Sequence, residues 1–398
     1  MKVLFITIAW PEPGNQNLYS DLMNEFADNG HQVTVLASRP RRVKKPTTFT
    51  TENNLKICRV KTGNISKSNP LEKMLSLFFL NRQFEKALNK YLANENYDLI
   101  IFNTPPITLS PFIEKLKDKY GCKFYLLLKD IWPYGFVDFD LIRKNGLIYN
   151  YFRKHEKRLY RVADRIGCMS PLGIDFVLSK NPELDPEKLE VCPNAIRVKD
   201  VNSTKELDIR KKYKIPEDAT IYIYSGNISL GHGIEFLGET ITDLKGYKKA
   251  FFLIGGSGLY FEKIRSQLKK SSVSNALVYD YLPKEDFENL LSICDVGLIL
   301  LSSKYNYPQF PSRLLSYLHN RMAVLCAVNT STDIGQIVEE NQAGLSVTHG
   351  DRKRFIEAIK SMSENTQMLK EMKDNSFHLL NEKYTTDIAY RTILNSIK

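Results

Sequence analysis

The residues best suited to chemistry sit in short polar loops, each following an apolar run. Ser225-Gly226-Asn227-Ile228-Ser229-Leu230-Gly231-His232-Gly233 follows one run, and Ile254-Gly255-Gly256-Ser257-Gly258 closes the next. Glycines and small polar side chains let a backbone approach a ligand, so both loops could cradle phosphate. Farther along, Pro308-Gln309-Phe310-Pro311-Ser312-Arg313 leads into Leu314-Leu315-Ser316-Tyr317-Leu318. Proline at the entry and Ser312 as N-cap fit a helix start. Arg313 in the first turn opposes the helix dipole, a cost that an anion at that end would offset. A diphosphate would then meet backbone N–H groups and a guanidinium together. In the first half, Gly14 and Asn15 lie in the loop Pro11–Asn17, which also enters a helix. It is not G-x-G-x-x-G, so no dinucleotide cofactor is expected. Lys129-Asp130-Ile131-Trp132-Pro133 places a charged pair and a tryptophan at a strand end, where they suit ligand contact. His232 by itself reads as a structural or solvated histidine. There is no H-x-x-x-H, Walker or G-x-S-x-G pattern, and no metal site is expected.

These loops need elements that bring them together. Continuously apolar, often β-branched runs recur from Val3–Ala9 through Leu99–Phe102 and Phe124–Leu128 to Val296–Leu301 and Ala323–Val328. Such runs fit strands buried on both faces of a parallel sheet. Amphipathic stretches such as Ser20–Asn29, Leu71–Asn94, Ile148–Val162 and Ile234–Leu244 alternate with them. The pattern predicts an α/β fold of two facing doubly wound parallel-sheet domains with a cleft between them. The expected boundaries are 1–195 and 204–375, with a linker over Asn194–Ser203 and a C-terminal helix, 376–398, returning to the first domain. In open α/β sheets ligands bind beyond the carboxyl ends of the strands, which is where the loops above fall.

The chain has 398 residues and a net charge of +11. Residues 1–200 hold 31 Lys and Arg against 22 Asp and Glu, an excess of +9, whereas residues 201–398 hold 25 against 23, or +2. A basic half points to an anionic partner. Apolar residues from Leu147 to Val162 recur at helical spacing with Arg153, Lys154, Lys157, Arg158 and Arg161 among them, and Leu71–Leu92 and Arg39–Lys45 add more cations. An anionic membrane surface would gain about 1 kcal/mol per nearby Lys or Arg. No nucleic-acid module accompanies the charge, so nucleic acid is not the expected partner. Met1–Trp10 reads as a first buried strand rather than a signal segment, so the expected location is cytoplasmic. The six cysteines lack metal-ligand spacing and read as buried thiols.

At these residues the chain resembles a GT-B glycosyltransferase of family 4, in the branch that builds bacterial cell-surface polysaccharides on lipid carriers. The likeness includes Gly30-His31-Gln32-Val33, Asp130-Ile131-Trp132-Pro133, Glu156–Arg165, Ser225-Gly226-Asn227, Tyr281-Leu282-Pro283, Pro311-Ser312-Arg313 and Ala343-Gly344-Leu345. The resemblance implies a retaining, metal-independent transferase moving a sugar from a nucleotide sugar, a UDP-sugar, to a lipid-linked saccharide at the inner membrane face. It implies Asp130 and Arg313 as catalytic residues. The donor would meet Gly226, Asn227, His232, Gly255, Gly256, Gly258, Tyr281, Leu282, Pro311, Ser312 and Ser316. Gly14, Asn15, Lys129 and Trp132 would lie on the acceptor side. Asn227 and His232 stand where many members carry an arginine and a lysine, and His232 would supply only conditional charge. Pro308 and Ser316 stand where the family carries two glutamates; Ser316 can hydrogen-bond the donor ribose but offers no carboxylate. Asp138-Phe139-Asp140 matches D-x-D, which belongs to another glycosyltransferase architecture. Two alternatives follow from the departures: a non-catalytic GT-B protein that binds an acceptor or partner enzyme, and a sugar-nucleotide epimerase.

Overall fold

A computed structural model describes residues 1–65, 68–199, 206–228, 230–280, 282 and 284–398. The chain forms two compact units, Met1–Arg197 with Thr385–Lys398, and Val198–Tyr384.

The first unit contains an eight-stranded sheet: β1 (Lys2–Thr7), β2 (Gln32–Pro40), β3 (Thr48–Glu52), β4 (Leu55–Thr62), β5 (Leu99–Asn103), β6 (Lys123–Leu128), β7 (Arg165–Cys168) and β8 (Leu189–Val191). Its order is β3-β4-β2-β1-β5-β6-β7-β8, and every pairing is parallel except β3 with β4. The central strands are buried along nearly their whole length, as their apolar runs require. Strand β3 carries no continuous apolar run. It is a largely exposed edge whose turn places Asn53 and Asn54 at φ 47° and 63°. An asparagine pair in left-handed conformation was the available hairpin signal. The helix Leu18–Asp28 starts on Asn17, whose side chain accepts from the Tyr19 and Ser20 amides while Ser20 Oγ accepts from the Asn17 amide. Leu22, Met23 and Phe26 then face the sheet.

The second unit contains six parallel strands: β9 (Thr220–Asn227), β10 (Ala250–Ser257), β11 (Ala276–Tyr279), β12 (Val296–Leu300), β13 (Ala323–Val328) and β14 (Gly344–Thr348). Their order, β11-β10-β9-β12-β13-β14, is that of a doubly wound sheet with its switch point between β9 and β12. Its core joins Tyr222, Phe252 and Leu298 to Ile241, Phe355 and Ile359.

The C-terminal return begins later than residue 376. Helix Thr366–Lys383 stays with the second unit, where Ser376 Oγ donates to the Ala343 carbonyl and the Arg321 guanidinium lies 3.8 Å from the Phe377 ring centroid. Only helix Thr386–Ser396 belongs to the first unit, where Tyr390 meets Phe26 edge-on and bonds His31 at 3.0 Å. Ile196 bridges to Thr385, so outgoing and returning chain run side by side. Residues 200–203 of the expected linker lie outside the described residues. All six cysteines are buried and unpaired. Among the described residues, no helix is long and apolar enough to cross a membrane.

Candidate active site

In the second unit, strand register brings the two glycine loops side by side. Gly256 pairs with Gly226 across β10 and β9. A Cβ on Gly256, whose φ is 141°, would overlap the Gly226 carbonyl oxygen. Gly255 likewise lies against the Tyr279 ring, and Gly258 against the Ile228 carbonyl. Close packing at the strand ends therefore calls for glycine at all three positions. Gly226 differs. It is exposed, has φ 124°, and a Cβ there would stand 3.7 Å from the Arg313 Nη2.

Arg313 opens helix Arg313–His319 and points back across the end of β9. Its guanidinium lies 4.4 Å from the Tyr224 ring centroid, a cation–π contact. Burial alone would favour loss of its proton, but Tyr224 and Tyr317 more than offset this, so Arg313 is a permanent cation. Tyr317, four residues on in the same helix, is fully buried and donates to the Leu298 carbonyl at 3.3 Å. Nη1 of Arg313 is buried and makes no hydrogen bond among the described residues. A held guanidinium with unspent donor capacity at a strand-end switch point is suited to an anionic ligand.

The neighbours of Arg313 sort the other expected donor contacts. Asn227 is exposed at the end of β9, and its carbonyl accepts from the Tyr224 hydroxyl at 2.9 Å. His232 ends the 3-10 turn Leu230–His232. Burial pushes its pKa down to about 4, and the Arg313 charge adds to that shift. His232 is therefore neutral near pH 7, so the conditional charge expected of it is absent there. Ser312 occupies the N-cap position, but its side chain makes no capping bond and it lies exposed in right-handed conformation. The expected Ser312 cap is thus corrected. Pro311 caps the turn through its carbonyl, which accepts from the Leu314 amide at 3.1 Å. Ser316 is half-buried one turn after Arg313, and Leu282 is half-buried. Tyr281 lies outside the described residues.

In the first unit the order reverses between β1 and β5, which brings two loops to that switch point. The loop carrying Gly14 and Asn15 is tied at its base. Glu12 accepts from Arg39 at 2.9 Å and from Lys45 at 3.0 Å, Arg59 donates to the Pro11 carbonyl, and Asn17 donates to the Ala9 carbonyl. Its tip is open: Gly14 has φ 86°, a Cβ added there would meet nothing within 4 Å, and Asn15 is exposed. Asp130 is half-buried after β6. Its backbone N–H donates to Thr104 Oγ1, its carbonyl accepts from the same hydroxyl, and the Trp132 indole donates to its carboxylate at 3.2 Å. Trp132 packs on Phe136 and Phe152, so it orients Asp130 from a fixed position. Nearby Tyr19 has its phenol pushed up to about 12, chiefly by burial.

Lys129 is anchored to the neighbouring strand end. Its ammonium donates to the Cys192 carbonyl at 2.8 Å, and burial lowers its pKa. It ties the end of β6 to the chain just after β8. Reasoning from sequence also missed Tyr224, Tyr317, Arg39 and Arg59. The first two were visible only as neighbours in sequence of Gly226 and Arg313, and the latter two as members of basic or apolar runs. Among the described residues, no group of three or more His, Cys, Asp or Glu could hold a metal ion.

Two family models match the chain in succession: Glycosyltransferase Family 4 over residues 14–200 and Glycosyl transferases group 1 over residues 205–378. A probable glycosyltransferase, WbjE of Pseudomonas aeruginosa, is 24% identical over 257 residues, 64% of this chain. The matched stretch spans 63% of that relative's length, less than two thirds. Among solved structures, sucrose-phosphate synthase from Thermosynechococcus elongatus superposes with a TM-score of 0.75 at 14% identity, covering 99% of this chain and 97% of that one. Anabaena HepE in complex with UDP-glucose gives 0.71 at 15% identity, covering 100% and 99%. At such identities these likenesses concern the fold. With both successive models matched and two doubly wound units beneath them, the chain belongs to the family 4 glycosyltransferases of GT-B type.

Proposed function

We propose that the protein is a retaining glycosyltransferase that uses a UDP-sugar and needs no divalent metal. Its acceptor is a lipid-linked saccharide of bacterial surface polysaccharide synthesis, met at the cytoplasmic membrane face. The observation that carries the donor half is Arg313, half-buried against Tyr224 with its buried Nη1 unpartnered among the described residues and Nη2 facing exposed Gly226. HepE, which shares the fold, was solved with UDP-glucose, which supports the same donor class here. The acceptor half rests on the resemblance and on Asp130, whose carboxylate the Trp132 indole orients at a strand end.

In this reading the bond between the anomeric carbon and the diphosphate oxygen breaks, and a bond to the acceptor oxygen forms on the same face. Arg313 stabilises the charge that grows on the departing diphosphate. The acceptor proton passes to that leaving phosphate, so no side-chain base is assigned. His232, being neutral, can donate a hydrogen bond to phosphate but brings no charge. Asp130 would orient an acceptor hydroxyl.

Calorimetry with UDP, followed by turnover of a UDP-sugar panel on a lipid-linked acceptor, tests the proposal. It expects saturable UDP binding, and UDP release that depends on acceptor. Release without acceptor would favour an epimerase. Nucleotide binding without turnover on any pair would favour the non-catalytic reading, which Pro308 and Ser316 motivate.

A further inference from the structure

Two helices of the first unit expose apolar side chains that no packing within the unit accounts for. On Pro70–Tyr91 the outer stripe begins Leu71, Met74, Leu75, Phe78 and Phe79, with exposures of 65%, 60%, 50%, 65% and 44%. At helical spacing the stripe continues into Arg82, Lys86 and Lys90, all exposed. On Leu147–Val162 the pattern repeats: Leu147, Ile148 and Tyr151 are 91%, 59% and 49% exposed, and Lys154, Lys157 and Arg161 follow outward. The carboxylates of both helices are engaged elsewhere. Glu72 accepts from Arg41 and Asn64, Glu85 from Lys115, and Glu156 is buried with Arg153 and Tyr160.

The two apolar starts are neighbours. Asn81 donates to the Thr108 carbonyl at 2.9 Å, while His155 and Ser110 share a hydrogen bond of 2.7 Å, so both helices pack on the same short segment. Nearer their starts, Lys73 lies 5.7 Å from the Trp132 ring, and Phe152 lies 5.4 Å from that ring on the other helix.

We propose that these apolar helix starts insert at the boundary between headgroups and acyl chains of an anionic bilayer, with Arg82, Lys86, Lys90 and Lys154 against its phosphates. A stripe that passes from apolar to cationic, without a carboxylate, matches the layering of such a surface. A second copy seated on the same face would set cations against cations or against apolar side chains. The proposal gives the lipid-linked acceptor a physical route to the site and in that sense rests on the proposed function. It also changes the origin of attachment. Many cations of the basic half are already paired: Lys157 with Glu183, Arg158 and Arg161 with Glu114, and Arg39 and Lys45 with Glu12. Apolar insertion therefore carries most of the binding, and unpaired cations supplement it.

The test is co-sedimentation of the full chain with vesicles of equal parts phosphatidylcholine and phosphatidylglycerol, without donor or acceptor. The protein should pellet and keep part of its binding at about 1 M salt, where the screening length falls to about 3 Å. The double variant Leu75→Glu with Phe78→Glu should lose about tenfold or more at low and high salt alike. Arg82→Glu with Lys86→Glu should lose binding chiefly at low salt. Unchanged melting temperatures and UDP affinity would show that these exposed substitutions leave the fold intact. In a Phe78→Trp protein, vesicles should shift emission to the blue, and brominated lipid should quench it. Failure to pellet would overturn the proposal, as would binding that salt abolishes and the apolar double variant keeps. A dimer in the absence of vesicles that this double variant converts to monomer would assign the face to a second copy and also overturn it. Loss of UDP binding with vesicle binding intact would strike the donor reading alone.

Discussion

In the proposed reading, Arg313 concentrates the donor chemistry in one side chain. Its guanidinium is held by Tyr224 and its helix by buried Tyr317, yet Nη1 has no partner among the described residues. Arg313→Ala should lower kcat/KM about 100-fold or more, the scale of losing one preorganised oxyanion partner. Arg313→Lys should recover only part, because a point charge cannot replace the planar fork. The neighbouring His232 gives a pH prediction. Its folded pKa of about 4 lies below the ordinary value of 6.5. Between these values the unfolded chain binds the proton and the folded chain does not, so stability is fully present above about pH 6.5 and falls toward pH 4. Thermal melts of the native protein and His232→Gln across that window should show a shallower pH slope for the variant. An unchanged slope would show that His232 is not held neutral in the folded protein. The types of these residues were legible in sequence. Their partners were not, because Tyr224 and Tyr317 reach Arg313 through the meeting of a strand end and a helix start.

At the level of elements, strand pairing decides what the glycines do. The Gly-rich ends of β9 and β10 look alike in sequence, and both suggested a phosphate cradle. In the sheet only Gly226 opens toward Arg313, because β10 spends its glycines on approach to β9 and Tyr279. Gly256→Ala, which combines φ 141° with overlap on a carbonyl, should destabilise by more than about 2 kcal/mol. Chemical denaturation of the variant would measure that loss. The loop after β1 shows the complementary case. Two arginines within an apparent docking charge, Arg39 and Arg59, are 4% and 3% exposed and bond Glu12 and Glu52. Arg59→Met leaves the partly exposed Glu52 without its partner and should cost about 1–2 kcal/mol. The Glu52 carboxyl is held below its usual value first by its hydrogen bond from Arg59. That contribution is present above about pH 4.5 and is lost as pH falls below it, so the Arg59→Met deficit should shrink in acid. Continuous apolar runs made the parallel strands readable. Edge strand β3 is hidden because it is short, polar and exposed, and ion pairs between residues distant in sequence have no one-dimensional signature.

At the scale of the molecule, alternating strands and helices implied two doubly wound domains, and the structure and both family matches agree. The last helix stabilises the first unit from the far end of the chain: Ile393 is fully buried beside Phe26 and Tyr390 in that unit's core. Ile393→Ala should therefore cost about 2–5 kcal/mol in melts of the full chain. The excess charge, by contrast, was misleading when summed. Much of it is paired, and the exposed apolar helix starts are the stronger sign of a surface partner. The central claim remains that the second unit holds a nucleotide sugar through Arg313. The most direct measurement is UDP titration by calorimetry on the native protein and Arg313→Ala, with melting temperatures recorded for both. The account predicts saturable binding to the native protein and a loss of about 100-fold in affinity in a variant that still melts cooperatively. Equal UDP affinity in the two proteins, or none in the native one, would contradict it.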